Sequence, residues 1–248
     1  MKYLYHILIY QPLFNLLIFF YNILPGNDIG IAIIALTIAV KLLLYPLSLQ
    51  SIRSQRALQS LQPKLDALKQ RYGDNKEALA RATMELYKTE KVNPFSSCLP
   101  LLIQLPFFIA LYQVFGRGLT SNGFEVLYPF ITKPEFIKPM SFGFLDLTHP
   151  SIPLAVLAGL AQFWQSKMLV TKPQPQVPGA KDESMTAIMN KQMLYMMPLM
   201  TVFIGTKLPG GLSLYWLVTT LLTVAQQAFL FRRRGGLSTP QRGSSPST

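Results

Sequence analysis

The chain has 248 residues, of which half are hydrophobic and only 14% are charged, and its mean hydropathy is +0.29. This is more apolar sequence than one soluble core needs, so we expect much of the chain to lie in lipid. The net charge of +12 is gathered beside the apolar stretches, at Arg53 to Lys91, Lys167 to Lys191 and Arg232 to Arg242, which is typical of cytoplasmic loops and argues against a specific nucleic-acid partner.

Five apolar stretches are long enough to cross about 30 Å of hydrocarbon as helices, which takes roughly 17–25 residues. They cover approximately 28–49, 94–115, 150–170, 189–206 and 211–231. We therefore predict an all-α integral membrane protein whose five-helix core occupies residues 28–234. All three basic stretches fall on one side of such a bundle. The positive-inside rule then places the C-terminus in the cytoplasm and the N-terminus outside.

The N-terminal segment 1–27 contains a further apolar stretch, Tyr3 to Leu24, which allows two interpretations. Pro12 interrupts it, and polar residues recur near one helical stripe, at His6, Gln11, Asn15 and Asn22. A polar edge suits a helix that lies flat in the membrane interface, whereas the length alone suits a sixth span. The charge distribution fixes the orientation of the bundle better than it fixes the number of crossings.

The segment 53–91 is the most polar part of the chain and predicts a helical hairpin in the cytoplasm. Apolar residues recur at alternating three and four residues from Leu58 to Tyr72, as in a coiled-coil seam. Gly73 then breaks the helix, and Asp74 with Glu77 predicts a capping box for a second helix. A solvated connector explains the charge but not two striped helices, so a docking role stays open. At the C-terminus, residues 235–248 are polar and predict a disordered tail.

Lys41 is the most informative residue, because it lies inside the first predicted span, between Val40 and Leu42. A charge near mid-membrane costs roughly 3 kcal/mol or more. In one interpretation the long side chain reaches the cytoplasmic surface, and in the other it faces a water-filled cavity among the helices. No acidic residue lies within the predicted spans to pair with it. The second interpretation therefore favours a transient anionic visitor, such as acidic residues of a passing polypeptide.

Other polar side chains embedded in the predicted spans favour a polar interior. Each of them alone is more often a contact between helices, but together with Lys41 they predict a hydrophilic groove. These residues are Gln104, Gln113, Gln162, Gln165, Ser213, Thr219, Thr220, Thr223, Gln226 and Gln227.

The predicted spans offer little for catalysis. They contain no Ser/His pair, paired aspartates or zinc motif, which argues against an intramembrane protease. No Gly-rich phosphate loop occurs, so we expect neither ATP use nor enzymatic activity. One cysteine and two histidines exclude an internal disulfide and leave little for a metal, so we expect no metal or cofactor. A coupled transporter is disfavoured by the lack of repeats and intramembrane carboxylates, but an assembly scaffold or chaperone without a groove stays the alternative.

Several motifs occur together in this chain. The longest, KVNPFSSCLPLLIQLPFFIALY, runs from Lys91 to Tyr112. The others are Tyr45-Pro46-Leu47, Leu61-Gln62-Pro63-Lys64, Leu86-Tyr87-Lys88, and Pro209-Gly210-Gly211-Leu212-Ser213-Leu214-Tyr215-Trp216 followed by Gln226-Gln227. Their order and spacing resemble those of the YidC family of membrane insertases, and the resemblance extends from Tyr3 to Arg234.

The resemblance implies a five-helix core with a positively charged groove that is open to the cytoplasm and to lipid but closed on the outside. It also implies a cytoplasmic hairpin and an interfacial N-terminal helix. The family's groove cation is usually an arginine five residues before the proline of the Tyr-Pro-Leu motif, and Lys41 stands there. Lysine keeps the charge but lacks the planar fork of arginine. The resemblance also adds Tyr215 to the candidate groove residues.

The resemblance further implies partners and a location. The expected partners are nascent membrane proteins and membrane lipids, with the ribosome and the general secretion channel as further candidates. The expected location is the bacterial inner membrane, with multiple spans. The large extracytoplasmic domain of some family members is not found in this sequence, so we expect a compact form.

Overall fold

The computed structural model describes residues 2–72, 75–93, 99–115, 121–169 and 192–235. Its α-helices, numbered α1 to α10 here, are Lys2–Tyr5, Gln11–Ile23, Ile29–Leu43, Tyr45–Ser60, Gln62–Tyr72, Lys76–Thr89, Leu99–Gln113, Ile152–Leu169, Met197–Gly205 and Gly210–Gly235. Turns of π-helix at His6–Tyr10 and Gln192–Met196 precede α2 and α9, and a 3-10 helix covers Ser121–Val126. Two short antiparallel strands, β1 (Met140–Ser141) and β2 (Leu145–Asp146), pair before α8. The mostly helical fold agrees with the predicted all-α class.

The first predicted span, 28–49, is not one straight helix as its hydropathy indicated. α3 ends at Leu43, and α4 begins at Tyr45 after a bend of 70°. Pro46 explains the break, because it has no N–H to donate and its ring clashes with the preceding turn. Lys41 therefore lies in the last turn of α3, directly before the bend.

Residues 140–149, called the cap loop here, hold the beginnings of α3 and α10 together. The backbone N–H of Gly30 donates to Ser141 Oγ at 2.8 Å. The N–H of Gly210 donates to the carbonyl of His149 at 2.9 Å. Both bonds satisfy donors in the first turn of a helix, which have no partner within the helix itself. The cap loop thereby ties these two helices together at one end of the bundle.

The ends of α7 and α9 lie at the same end of the bundle. Phe115, just beyond α7, packs so closely on Gly211 that a Cβ there would stand 2.7 Å from its ring. Ser213 Oγ donates to the carbonyl of Gly205, the last residue of α9, at 3.3 Å. The chain thus runs away from the cap loop in α3, α8 and α10, and toward it in α7 and α9.

Small residues let α8 approach α9 closely. A Cβ on Gly159 would stand 2.4 Å from Val202 Cγ2, and a Cβ on Gly205 would stand 2.8 Å from that of Ala155. Membrane helices, which gain little from the hydrophobic effect between themselves, commonly associate through such close contacts of small residues. The contacts fix α8 and α9 as a tight antiparallel pair.

The continuous helix Tyr3–Ile23, called the N-terminal helix here, supplies a large part of the buried apolar core. Phe14, Leu17 and Ile18 are fully buried, and α2 packs against α3. The core also includes Phe124 and Leu147 from the segment that precedes α8. This helix is therefore an integral part of the fold.

The predicted polar edge of the N-terminal helix binds the segment 126–138. The Asn15 amide donates to the Val126 carbonyl at 2.9 Å and accepts from the Tyr128 N–H at 2.6 Å. About two helical turns further on, Asn22 donates to the Thr132 carbonyl at 2.7 Å. The irregular segment therefore follows the helix along its polar edge.

Two described helices are long and apolar enough to cross a membrane on their own, Tyr3–Ile23 and Gly210–Leu230, and the bent pair of α3 and α4 makes a third. α7 and α9 have only 15 and 9 residues. α8 contains Gln162, Gln165 and Lys167, which lower its hydropathy. The predicted spans 94–115 and 189–206 also begin in segments outside the described residues. The count of five spans stays a prediction.

The predicted hairpin, 53–91, differs from expectation in both arms. Its first arm breaks at Leu61, between α4 and α5, because Pro63 disfavours helix in the preceding turn. The seam from Leu58 to Tyr72 therefore does not follow one helix. An ion pair between Lys64 and Glu90 joins α5 to the residue after α6.

The predicted cap of the second arm is also corrected. The N-cap of α6 is Asn75, whose side chain accepts from the Ala78 N–H at 3.0 Å. A capping box needs Glu or Gln three residues after the cap, and that residue is Ala78, so the pair of Asp74 and Glu77 is wrong. Asp74 itself and the predicted tail beyond Gly235 lie outside the described residues.

Candidate functional site

The ammonium of Lys41 lies inside the bundle and bonds to α10. Its Nζ donates to Thr223 Oγ1 at 2.7 Å. Lys41 is 12 residues from the beginning of α3 at Ile29, and Thr223 is 13 from the beginning of α10 at Gly210. At 1.5 Å per residue this puts the pair about 18–20 Å from the cap loop. Both side chains are partly buried.

Lys41 has no acidic partner in the described part of the chain. None of the ion pairs there, defined by a nitrogen–oxygen distance up to 4.0 Å, involves it. A hydroxyl provides a good acceptor but no negative charge, so the positive charge of the site is not neutralised. The site therefore attracts anions.

Two further candidate residues bond to the first half of α10. Gln104 of α7 donates from its amide to the Tyr215 hydroxyl. The indole Nε1 of Trp216 donates to Gln162 Oε1 of α8 at 3.2 Å, and its ring meets Phe108 of α7 edge-on with centroids 5.6 Å apart. α10 is thus linked to α7 and α8 by polar contacts at consecutive residues.

A further candidate residue, Gln226, lies one turn beyond Thr223 and bonds to α4. Its Oε1 accepts from Ser48 Oγ at 3.0 Å. Ser48 follows the bend between α3 and α4. Four residues of α10 therefore contact α7, α8, α3 and α4 in turn, which makes α10 the helix on which the site is assembled; they are Tyr215, Trp216, Thr223 and Gln226.

The next residue, Gln227, is fully buried, and neither its amide nitrogen nor its amide oxygen has a hydrogen-bond partner among the described residues. Burying an amide without a partner costs on the order of 1–3 kcal/mol. Water in the interior would satisfy it, since buried polar groups of this kind commonly hold ordered water. Gln227 therefore marks the region around Gln226 as polar.

The remaining candidates are placed differently. The Thr220 hydroxyl donates to the carbonyl of Trp216 at 2.8 Å, so it serves its own helix. Thr219 provides the carbonyl that accepts from Thr223 Oγ1 at 2.7 Å. Gln113 is the last residue of α7, near Phe115 and the cap loop, and the structure does not bring it together with Lys41.

The cap loop differs in charge from the Lys41 region. Hydrogen bonds from the hydroxyl and the backbone N–H of Thr148 lower the pKa of the Asp146 carboxyl to about 2. A further carboxylate, Asp28, caps α3 and accepts from the Phe142 N–H at 2.6 Å. The start of α3 and the cap loop thus contribute two carboxylates, whereas the Lys41 region contributes a cation.

No group of three or more His, Cys, Asp or Glu residues in the described ranges lies close enough together to hold a metal ion. The residues assembled around α10 have side chains that are suited to binding. They offer one cation, several amides and hydroxyls, and apolar walls.

Sequence reasoning missed two residues of this arrangement. Ser48 is the partner of Gln226, and Trp216 is the partner of Gln162. Both stand within or beside motifs that the sequence singled out, the Tyr-Pro-Leu motif and the motif that ends at Trp216. Their positions in those motifs were the available signal.

Comparison with known proteins decides the family. A family model described as 60Kd inner membrane protein matches residues 19–235. The membrane protein insertase YidC of Fusobacterium nucleatum is 34% identical over 207 residues, which cover 84% of this chain and 88% of that protein. The chain belongs to the YidC family. Relatives of the same name from Cellvibrio japonicus and Haemophilus influenzae are 39% and 37% identical over 90% of this chain.

Membership confirms the resemblance that the motifs indicated. It does not extend over the whole of every YidC protein, because the chain spans only 36% of the length of the C. japonicus and H. influenzae relatives. The match to the F. nucleatum relative covers most of both proteins. The region that the family model matches contains α3 to α10, and thus the residues assembled around α10.

Proposed function

We propose that this protein inserts other proteins into the bacterial inner membrane through a hydrophilic groove centred on Lys41. The observation that carries the proposal is a lysine ammonium in an apolar helix bundle, bonded to a hydroxyl and without a carboxylate partner in the described residues. The relatives in its family are named membrane protein insertases. In this function the groove is open to the cytoplasm and to lipid, and the cap loop closes the outside.

The proposed topology has five spans, formed by α3 with α4, α7, α8, α9 and α10. Its support is the alternating direction of these helices relative to the cap loop. In that arrangement the basic segments 53–91 and 232–234 both lie at the end away from the cap loop, as does Lys167. By the positive-inside rule this end is cytoplasmic, so the C-terminus is inside.

The N-terminal helix is proposed to lie in the outer interface, although its length and hydropathy also suit a span. Its polar residues bind the irregular segment 126–138 along the helix. Irregular backbone next to lipid in the hydrocarbon leaves N–H and C=O groups without partners, which is costly. At headgroup level water satisfies them, and the N-terminus is then outside.

The mechanism follows from charge and solvation. Water in the groove shortens the apolar distance that the hydrophilic end of a guest has to cross, and Lys41 attracts acidic residues of that end. The apolar segment of the guest leaves along the lipid-facing sides of α7 and α9, where Leu102, Ile109, Leu199 and Phe203 are exposed. Lysine attracts a carboxylate as a point charge and does not form the bidentate pair of arginine.

Insertion in this scheme needs no nucleotide. Burying the guest's spanning segment in lipid provides roughly 25 cal/mol per Å² of apolar surface. The membrane potential adds about 2.3 kcal/mol per 100 mV for each negative charge that moves outward. The protein's part is to lower the barrier for the polar end, and it acts as a chaperone rather than an enzyme.

Reconstituted vesicles that contain only this protein test the proposal. We expect Lys41→Ala to slow insertion of a guest with an acidic leading tail by about tenfold, which corresponds to about 1.4 kcal/mol, and Lys41→Arg to preserve it. A guest with a neutral tail is the matched control and should be affected much less. Equal slowing of both guests, or none, would remove Lys41 from the mechanism.

The assembly scaffold without a groove is the competing function. The contacts of Gln104, Gln162 and Gln226 with α10 or α4 favour it, because they satisfy polar groups within the bundle. A cysteine at position 41, with Cys98 replaced by serine, separates the two. Rapid reaction with a charged maleimide from the cytoplasmic side supports the groove, and protection from the reagent supports the scaffold.

The cytoplasmic hairpin is proposed to help recruit ribosomes or nascent chains together with the basic C-terminal segment. Its support is the density of exposed cations on α5 and α6. Deletion of residues 57–90 and 232–248 should reduce co-sedimentation with ribosomes. An unchanged amount of sedimenting protein would assign these charges to topology alone. A direct contact with the secretion channel is a further candidate that the same deletions test by co-purification.

A further inference from the structure

A cavity of about 220 Å³ separates α4 from the last turns of α10. Its apolar walls are Tyr45, Leu49 and Ile52 on one side and Ala225, Phe229 and Leu230 on the other. Tyr45 and Phe229 are 41% and 54% exposed, so the cavity opens to the surroundings of the bundle. Gln226 also lines it. None of the proposed steps of insertion uses this space.

The cavity is a wedge between two helix faces. Tyr45, Leu49 and Ile52 stand at positions i, i+4 and i+7 of α4, which is one face of a helix. Ala225 and Phe229 are likewise four residues apart on α10. The two helices touch at the hydrogen bond between Ser48 and Gln226. In a membrane a wedge with these walls is filled by apolar material.

On both helices, arginines lie one helical turn beyond residues that line the wedge. Arg53 comes four residues after Leu49 and is exposed, and Arg56 comes four residues after Ile52. On α10, Arg233 and Arg234 come four residues after Phe229 and Leu230. Neither α4 nor α10 contains a single Asp or Glu. A molecule that binds here therefore needs an apolar part that fills the wedge and an anionic part that reaches the arginines one helical turn further on.

We propose that the wedge binds one anionic phospholipid of the cytoplasmic leaflet. One acyl chain lies between α4 and α10, and the phosphate headgroup lies at the arginines that follow. A cavity of 220 Å³ is smaller than the roughly 300–1,000 Å³ of a typical ligand pocket, so it suits a stretch of acyl chain and is too small for a folded peptide segment. Cationic side chains close to a membrane surface attract anionic lipids.

The site rests on the proposed topology, which puts this end of α10 in the cytoplasmic leaflet, but it does not depend on the proposed role as an insertase. A bound lipid stabilises α4 beside α10 at the open end of the groove. Loss of lipid binding with normal insertion would overturn this inference alone. Loss of insertion by Lys41 variants with normal lipid binding would overturn the proposed function alone.

Native mass spectrometry of the full chain, equilibrated with either phosphatidylglycerol or phosphatidylcholine, measures the preference. We expect the wild-type protein to keep one phosphatidylglycerol molecule at least fivefold more often than phosphatidylcholine. The double variant Arg53→Gln, Arg233→Gln should lose most of this preference. The matched control Arg81→Gln removes an exposed cation of the hairpin and should keep it.

A photoactivatable group on the acyl chain locates the site. Crosslinks should fall on α4 and the last turns of α10. Ala225→Trp fills the wedge and should abolish them, whereas Leu160→Trp, at an exposed position of α8, should not. If the Ala225→Trp protein does not fold, the arginine variants decide. Equal binding of the two lipids by the wild-type protein, or unchanged crosslinks in Ala225→Trp, would overturn the inference.

Discussion

Lys41 and Thr223 are 182 residues apart in sequence, and their side chains are joined by a hydrogen bond of 2.7 Å inside the helix bundle. The Thr223 hydroxyl donates to the Thr219 carbonyl at 2.7 Å, so its lone pairs are left for the ammonium. The bond therefore orients the cation of the site. It also links α3 to α10 near the bend at Leu44.

Removing this acceptor should loosen the site. Thr223→Val keeps the shape of the side chain but leaves the ammonium without the hydroxyl, and a hydrogen bond to a charged group is worth about 1.5–3 kcal/mol. Because Lys41 is only partly buried, water can replace part of this, so we expect a loss in the free energy of unfolding of about 1 kcal/mol. Denaturation in a fixed detergent measures it.

Thr223→Ser is the control for this prediction, since it retains the hydroxyl and should behave like the wild-type protein. Insertion of a guest with an acidic tail should also slow in Thr223→Val, but less than in Lys41→Ala. A Thr223→Val protein with wild-type stability and wild-type insertion would show that the bond does not orient the cation.

The contact between Gly159 and Val202 should limit how closely α8 and α9 approach. A Cβ at position 159 would stand 2.4 Å from Val202 Cγ2 and 3.2 Å from the Pro198 carbonyl oxygen, so Gly159→Ala forces the helices apart. Overpacking of this kind costs about 1–3 kcal/mol. We expect a lower midpoint of thermal unfolding in detergent for Gly159→Ala.

A second substitution makes the Gly159 prediction specific. Val202→Ala removes the methyl group that the new Cβ meets, so the double variant Gly159→Ala, Val202→Ala should regain part of the lost stability. The comparison forms a double-mutant cycle with a stabilising interaction energy. Additive losses from the two substitutions would mean that the strain lies elsewhere in the pair of helices.

The polar residues embedded in the apolar helices could be recognised from sequence alone, but the contacts between them could not. Lys41 was recognisable because a charge in an apolar run is expensive, and the polar residues of α10 were recognisable by the same contrast. Their partners were not, because the pairs Lys41–Thr223 and Gln104–Tyr215 join distant parts of the sequence. Helical periodicity indicates which residues of one helix share a face, but it does not indicate which residues of two different helices are in contact.

The bends were missed for a different reason. Hydropathy averaged over a window reads residues 28–49 as one span, although Pro46 marks the point where α4 begins anew. Pro63 likewise marks the break between α4 and α5. A proline was present at both breaks. Whether a proline interrupts a continuous apolar or leucine pattern depends on how the helices pack, and the sequence does not show that packing. The predicted cap of α6, Asp74, was wrong by one residue, because the observed cap is Asn75. An error of this size is usual at helix ends.

Asn75 should stabilise the start of α6. Its side chain accepts from the Ala78 N–H at 3.0 Å, and loss of an N-cap typically costs about 1 kcal/mol. Asn75→Ala should therefore speed amide hydrogen exchange in the first turn of α6 about fivefold. Asn75→Asp keeps the acceptor and should exchange like the wild-type protein. Equal rates in all three proteins would return the cap to the predicted position at Asp74.

Labelling of single cysteines in whole cells should distinguish an interfacial N-terminal helix from a sixth span. In a Cys98→Ser background, Phe130→Cys reports the side of the segment that binds the helix, and Met84→Cys reports the hairpin. The decisive position is Tyr3, which is exposed, as are Phe130 and Met84.

If the helix lies flat outside, Tyr3→Cys and Phe130→Cys should both react with a membrane-impermeant maleimide before lysis, and Met84→Cys only after it. A sixth span would carry Tyr3 to the cytoplasmic side, so its cysteine would then react together with Met84→Cys. Because Asn15 and Asn22 would then hold irregular backbone within the hydrocarbon, that outcome would also require water or further protein around the segment 126–138.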